Sequence, residues 1–402
     1  MAISNQTARR LMIEKQGFDP QPGTIEKKDI FETVDRLGCV QIDTINVVER
    51  AHYLTLWSRL GGYDKEMLHD LLYRDRLLFE HWAHASSIIP LKDYRYFIHP
   101  MQVRRANMVE RFKRWGKGDP EILDQVLERI RMEGPLASKD FEHKKEKPSK
   151  GWWDWKPAKI ALEVLFGAGV ILVSRRKNFQ RYYDLAERVL PNWVNTSEPS
   201  AEERIRFFTN RTMGCLGLVK PADPRSYYQN YLVKLGKNSR QLMALLDQWV
   251  EEEEVERYEL EGEKSPYYCL PEDARRMEEL EAGDFNFEGV RFLTNFDNIL
   301  WLRDRVKTLF GFEAKLETYV PKEERRYGYF NLPILYGDRL VGRIVPKMDR
   351  KRRVLIIHSL WHEPWFKPDE AFEDCFSEAI DRFAKFNDAE VIEMEEDEPR
   401  KG

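Results

Sequence analysis

The chain has 402 residues and a formal net charge of −4, which is enough length for two to four modules with cores of their own. Four well-separated cysteines (Cys39, Cys215, Cys269 and Cys375) show no CxxC spacing, which argues against structural zinc and a disulfide framework and fits a reducing cytoplasm. There is no N-terminal signal and no apolar run of membrane-spanning length, so a soluble protein is expected.

The charge is unevenly spread. Residues 249–284 carry 14 acids and 4 bases, and residues 388–402 carry 7 acids and 2 bases, so the remainder is about +11. In chain order, Ser4 is placed to cap a first helix with Ala8, Leu11 and Met12 on one face, broken by Pro20, Pro22 and Gly23. Thr24 opens a second helix with Ile30, Phe31, Val34 and Leu37 inward, ended by Gly38. Residues 40–44 then alternate: Val40, Ile42 and Thr44 on one face, Gln41 and Asp43 on the other, as in a half-buried strand. Helices are predicted over 48–60 and 64–74, separated by Gly61-Gly62, and strand formers fill 77–89 up to Pro90.

The second module is the most distinct. A helix over 121–132, a turn at Gly134-Pro135, a short helix over 138–141, a Lys-rich loop and a helix from Pro157 to Gly167 lead into a hairpin around Arg175-Arg176-Lys177-Asn178. This is winged helix-turn-helix order, with the third helix as the usual groove reader. Residues 143–188 carry 11 Lys or Arg against 5 Asp or Glu, a pattern that points to DNA when a helix-turn-helix presents it. Helices over 201–213, 223–231 and 239–250, with a wing over 254–260 and 267–270, repeat the order with an acidic wing. The last module reads as a helix over 299–310, antiparallel strands over 313–320, 327–336, 339–347 and 353–361, an amphipathic helix over 371–386, and a disordered acidic tail. The expected fold class is therefore α+β, mainly α, divided at 1–115, 116–195, 196–283 and 284–402.

Side chains suited to other chemistry are sparse. The eight histidines form no HExxH motif, and His81 and His84 read as strand or wing packing rather than metal ligands. Gly61-Gly62 and Gly167-x-Gly169 are helix stops, and no Walker or Gly-x-Ser-x-Gly sequence occurs. Neither a metal nor another cofactor is called for. Lys322, Arg325 and Arg326 lie at the tip of an expected hairpin between Val320 and Tyr329, with Tyr327 and Tyr329 on one face of the returning strand.

Residues 37–63, including Gln41-Ile42-Asp43, resemble the signature of the winged-helix DNA interstrand-crosslink repair glycosylases of the YcaQ/AlkZ type. So do Glu80-His81-Trp82-Ala83-His84, the run Gly151-Trp152-Trp153-Asp154-Trp155-Lys156-Pro157, and Arg176-Lys177-Asn178-Phe179-Gln180-Arg181. Asn295-Phe296-Asp297, Arg326-Tyr327-Gly328-Tyr329-Phe330 and Leu340-Val341-Gly342-Arg343 extend the likeness over nearly the whole chain. The resemblance implies three tandem winged helices plus a β-rich C-terminal module arranged as a C-shaped clamp on duplex DNA. It also implies membership of the Gln-x-Asp subgroup, a monomer, and a cytoplasmic protein associated with the bacterial nucleoid when acting. Asn298, where many relatives have proline, departs from the pattern.

The implied substrate is duplex DNA carrying N7-alkylated or crosslinked purines. The implied activity is monofunctional hydrolysis of the N-glycosidic bond in base excision repair. N7 alkylation leaves a positively charged base that departs readily, and the oxocarbenium-like sugar then needs a nearby negative charge and a water nucleophile. Asp43 supplies the charge and accepts the water proton, and Gln41 holds the water in line. DNA-binding candidates are Arg59, His84, Lys156, Lys159, Arg175, Arg176, Lys177, Lys322, Arg325, Arg326 and Tyr327. Two other classes stay open: a winged-helix transcription regulator and a structural DNA-binding protein, either of which leaves Gln41 and Asp43 without a task.

Overall fold

A computed structural model describes residues 2–18, 23–116, 119–141, 156–228 and 238–395. The chain divides into two compact units, one built from Met1–Met67 and Phe208–Gly402 and the other from Leu68–Phe207. The cuts at 67/68 and 207/208 fall inside the first and third modules expected from sequence.

In the Leu68–Phe207 unit, strands Leu78–Trp82 and Ser86–Pro90 form an antiparallel hairpin with Leu78 opposite Pro90 and Trp82 opposite Ser86. Helices Tyr94–Ala106 and Met108–Gly116 follow, where sequence reading had placed no element. Pro100 lies inside the first of them, yet Tyr94, Phe97, Ile98, Met101 and Arg104 keep helical spacing and are buried. Helix Glu121–Glu133, the 3-10 turn Ser138–Phe141, helix Lys156–Gly167 and the hairpin Ile171–Lys177/Gln180–Leu185 appear in the expected order. Their shared core includes Val126, Ile130, Leu162, Phe166, Ile171 and Tyr183. Leu136 adds a two-bond bridge to Tyr183, with N···O distances of 3.0 and 2.8 Å. The Lys-rich loop and residues 151–155 lie outside the described residues.

The second hairpin turns through Asn178 and Phe179, whose φ angles are 49° and 65°. Two consecutive left-handed residues match the strand twist of a two-residue hairpin, although Phe is a costly choice there. Arg176 offsets that cost: its Nη1 donates to the Phe179 carbonyl at 2.6 Å, and its guanidinium lies 4.3 Å from the Phe179 ring centre.

In the other unit, helix Asn5–Lys15 is capped as expected, with Thr7 N donating to Ser4 Oγ at 3.0 Å. The second helix, Lys27–Leu37, starts later than Thr24, because Glu26 and Asp29 form a reciprocal capping box. Helix Ala51–Leu60 is buried on every side. Its Trp57 meets Phe383 and Phe386 of helix Glu370–Phe386 at 4.9 and 6.2 Å between ring centres. The N-terminal and C-terminal ends of the chain therefore share one core.

The C-terminal sheet has five strands in the order Val391–Met394, Val354–His362, Arg339–Asp349, Leu332–Tyr336 and Val290–Phe292. Three expectations are corrected here. Residues 313–320 and 327–331 are not strands. Val290–Phe292 supplies an edge strand that was not foreseen, and Val391–Met394 pairs parallel to Val354–His362 where disorder was expected. The last acidic residues, 396–402, lie outside the described residues. In the third module, helices Ala201–Leu216, Asp223–Tyr227 and Ser239–Glu251 precede the antiparallel pair Glu256–Leu260/Tyr267–Cys269. Ala2–Ile3 adds to that pair as a parallel strand. The predicted end of the middle helix, 229–231, lies outside the described residues.

Candidate active site

The expected Gln-x-Asp strand is cut short: only Val40–Gln41 is strand, and the chain leaves extended geometry at Ile42. Asp43 itself bends it, because Oδ1 accepts the Ile45 N–H at 2.8 Å, a side-chain mimic of a backbone turn. Gln41 and Asp43 are both half-buried. Among the described residues, Asp43 Oδ2 and the Gln41 amide make no hydrogen bond, so one carboxylate oxygen and a whole amide are available to water or substrate.

The loop that follows is clamped. Met348 N donates to the Val47 carbonyl at 3.1 Å. Arg350 Nη2 reaches both Asn46 Oδ1 and the Val48 carbonyl at 2.6 Å. Glu49 receives Lys65 Nζ at 2.6 Å. Val47 also lines a cavity of about 680 Å³ with Lys322, Arg325, Tyr327, Tyr329, Lys347 and Trp361.

The loop over that cavity is not the expected hairpin but an irregular excursion with a 3-10 turn at Lys322–Glu324. Glu317, with no exposed side-chain surface, holds it by accepting the N–H groups of Arg326, Tyr327 and Gly328 at 3.0, 2.8 and 2.9 Å. Lys322 and Arg326 are exposed, and Arg325 lies 5.0 Å from the Tyr329 ring centre. Tyr327 is half-buried between Arg343, 4.0 Å from its ring centre, and an edge contact to Trp361. Lys322, Arg325, Arg326 and Tyr327 thus share one irregular loop rather than a hairpin tip and its returning strand.

Arg59 is a correction. It was expected to meet DNA, but its side chain is 1 % exposed and pairs in two-pronged fashion with the fully buried Asp297. Its Nε and Nη2 also serve Gln16, at 3.1 Å each, and its guanidinium lies 4.0 Å from the Phe18 ring centre. Arg59 is an internal strut.

In the Leu68–Phe207 unit, Arg175 and Lys177 are exposed on the hairpin, whereas Arg176 is not free to meet a phosphate. Its Nε and Nη2 lie 2.8 and 2.6 Å from the two oxygens of Glu80, and its side chain is 11 % exposed. Arg176 is therefore removed from the DNA-binding set. Lys159 is exposed on helix Lys156–Gly167, and His84 is half-buried in the turn between the first two strands of the unit. The side chain of Lys156 lies outside the described residues. His81 is fully buried with Nε2 3.0 Å from the Phe166 carbonyl, and burial lowers its pKa to about 3, which fits the packing role expected of it.

Glu80 yields a pH prediction. Burial alone would raise its pKa, but the Arg176 charge and hydrogen bonds, Arg181 and the Tyr73 hydroxyl bring it down to about 2. A depressed carboxylate pKa gives stability that is present above the ordinary value near 4.5 and is lost as pH falls towards 2. The loss is on the order of 3 kcal/mol. Acid unfolding followed between pH 5 and pH 2 should show this slope in the wild type, and a flatter one in Glu80→Gln, which starts from a lower stability at pH 7.

A family model described as AlkZ-like DNA glycosylase matches residues 34–386. The chain belongs to the AlkZ-like DNA glycosylase family. Streptomyces sahachiroi DNA glycosylase AlkZ is similar in structure, with a TM-score of 0.63 over 98 % of this chain and 100 % of that one, at 17 % sequence identity. At that identity the likeness bears on the fold alone. Among the described residues, no helix of this AlkZ-like chain is long and apolar enough to cross a membrane.

Sequence reasoning missed what several residues of this AlkZ-like chain do. Glu80 carried a signal, since an acid inside the apolar run Leu78–Trp82 needs a buried partner. Nothing in the sequence paired Arg350 with Asn46 and Val48 or Asp297 with Arg59, which lie far away along the chain, and the backbone amides that Glu317 gathers carry no side-chain signal.

Proposed function

We propose that this chain is a monofunctional glycosylase of the Gln-x-Asp subgroup that excises N7-alkylated purines and unhooks interstrand crosslinks from duplex DNA. The observation that carries the reading is the carboxylate of Asp43. It is held by the Ile45 N–H through one oxygen and open at the other, beside an uncommitted Gln41 amide, on a loop clamped at Asn46, Val47 and Val48. Departure of a cationic base leaves a sugar with oxocarbenium character. Asp43 stabilises that charge and takes the proton of the attacking water, and Gln41 orients the water. A monofunctional route needs no lysine nucleophile. A crosslinked base is tied to the opposite strand and resists full extrusion, which suits a site on a half-buried loop rather than a deep pocket.

DNA is held, in this reading, by winged-helix modules through the exposed cations Lys159, Arg175 and Lys177, and beside the cavity by Lys322, Arg325 and Arg326. Replacing Arg175 and Lys177 together by Ala should weaken binding of lesion-bearing and undamaged duplex about equally. It should also reduce the slope of log affinity against log salt by about 2. Unchanged binding would place that hairpin away from DNA. The function itself is tested with a duplex carrying a defined interstrand crosslink. After incubation a denaturing gel should show separated strands, with breakage at the former crosslink only after alkali. A duplex that stays crosslinked while bound would leave the chain a DNA-binding protein.

A further inference from the structure

The backbone that delivers Gln41 and Asp43 begins at the end of helix Lys27–Leu37, where a helix leaves carbonyls without intrahelical partners. Here the turn Leu37-Gly38-Cys39 is fully buried at Leu37 and Cys39, so those carbonyls need protein donors. Two side chains distant in sequence supply them. Tyr227 Oη donates to the Leu37 carbonyl at 2.9 Å. Asn298 Nδ2 donates to the Cys39 carbonyl at 2.8 Å and to Tyr227 Oη at 2.7 Å.

The direction of this chain of bonds is fixed. The Cys39 carbonyl only accepts, so the amide nitrogen of Asn298 must face it. Tyr227 gives its proton to Leu37 and so accepts from Asn298. Burial holds the Tyr227 phenol well above its ordinary pKa, and it stays a donor. Asn298 Oδ1 is buried with no partner among the described residues. Neighbouring Asp297 anchors the segment through Arg59 and by accepting the Ile299 N–H at 3.1 Å, so the amide is presented from a rigid base. Gly38 leaves no slack: its φ is +71°, and a Cβ there would lie 2.3 Å from Tyr228 Oη.

We propose that Asn298 and Tyr227 are positioning residues for the reaction. They fix the turn at residues 37–39 and thereby the placement of Gln41 and Asp43, two and four residues beyond Cys39. The inference rests on the reading of Gln41 and Asp43 given above.

The test uses the full chain and a duplex with one N7-methylguanine, read as a single-turnover excision rate, a duplex Kd and a Tm. Asn298→Ala should lower the rate at least 10-fold with Kd within twofold, and Tyr227→Phe, which removes one hydroxyl, should lower it severalfold. Leu355→Ala, a cavity in the fully buried core of the C-terminal sheet, serves as the control for lost stability alone and should excise at the wild-type rate well below its Tm. Asn298→Ala should add no further loss to the residual rate of Asp43→Asn, since both act on one step. If Asn298→Ala does not fold, Tyr227→Phe decides. Wild-type excision by the folded variant, or a loss no larger than that of Leu355→Ala, overturns the positioning role. Wild-type excision by Asp43→Asn instead sinks the assignment of Asp43 and is read separately.

Discussion

Asp43→Asn should reduce base excision by at least 100-fold while leaving duplex affinity within about twofold, the scale expected when a preorganised electrostatic group is removed. The amide is nearly isosteric, and its oxygen still accepts the Ile45 N–H that bends the loop, so the backbone at residues 43–45 is retained. What is lost is the negative charge opposite the developing oxocarbenium and the acceptor for the water proton. Gln41→Ala should slow excision less, because a water is positioned by several groups and the charge remains. A single-turnover rate for Asp43→Asn close to wild type would remove Asp43 from the chemistry.

Arg59→Met should lower stability by about 3–5 kcal/mol, because it leaves the carboxylate of Asp297 buried without its counter-ion. Asp297 has no exposed side-chain surface, and Arg59 is its two-pronged partner. The methionine also loses the donors to Gln16 and Ser58. Chemical denaturation should therefore show a lower midpoint for the unit built from Met1–Met67 and Phe208–Gly402. Arg59→Met combined with Asp297→Leu should recover part of the loss, since no unpaired buried charge then remains. A single variant as stable as wild type would mean that the pair contributes nothing net to the fold.

The contrast between Arg59 and Asp43 shows what was legible in the sequence. Local rules located the Ser4 cap, the Gly38 stop and the helix, turn, helix and hairpin order of residues 121–185, because each depends on neighbours within a few positions. The Gln-x-Asp segment was found by alternation, yet its geometry was not: Asp43 turns the chain and ends the strand that alternation implied. Arg59 and Arg176 looked like surface cations because nothing local pairs them with Asp297 and Glu80, which lie 238 and 96 residues away. The same holds for the loop over residues 313–331. Its aromatic and β-branched residues suggested strands, and the three amides gathered by Glu317 override that propensity. Helix Tyr94–Ala106 was hidden by Pro100, whose tertiary surroundings tolerate what a local rule forbids.

The most direct test of the account is the small product of a single-turnover reaction on duplex DNA containing one N7-methylguanine, identified by mass spectrometry of the supernatant. The account predicts free 7-methylguanine in amounts equal to enzyme-dependent abasic sites, with the strand uncut until alkali is added and both products formed at least 100-fold more slowly by Asp43→Asn. Tight binding of the duplex by the wild-type chain with no released base would contradict it.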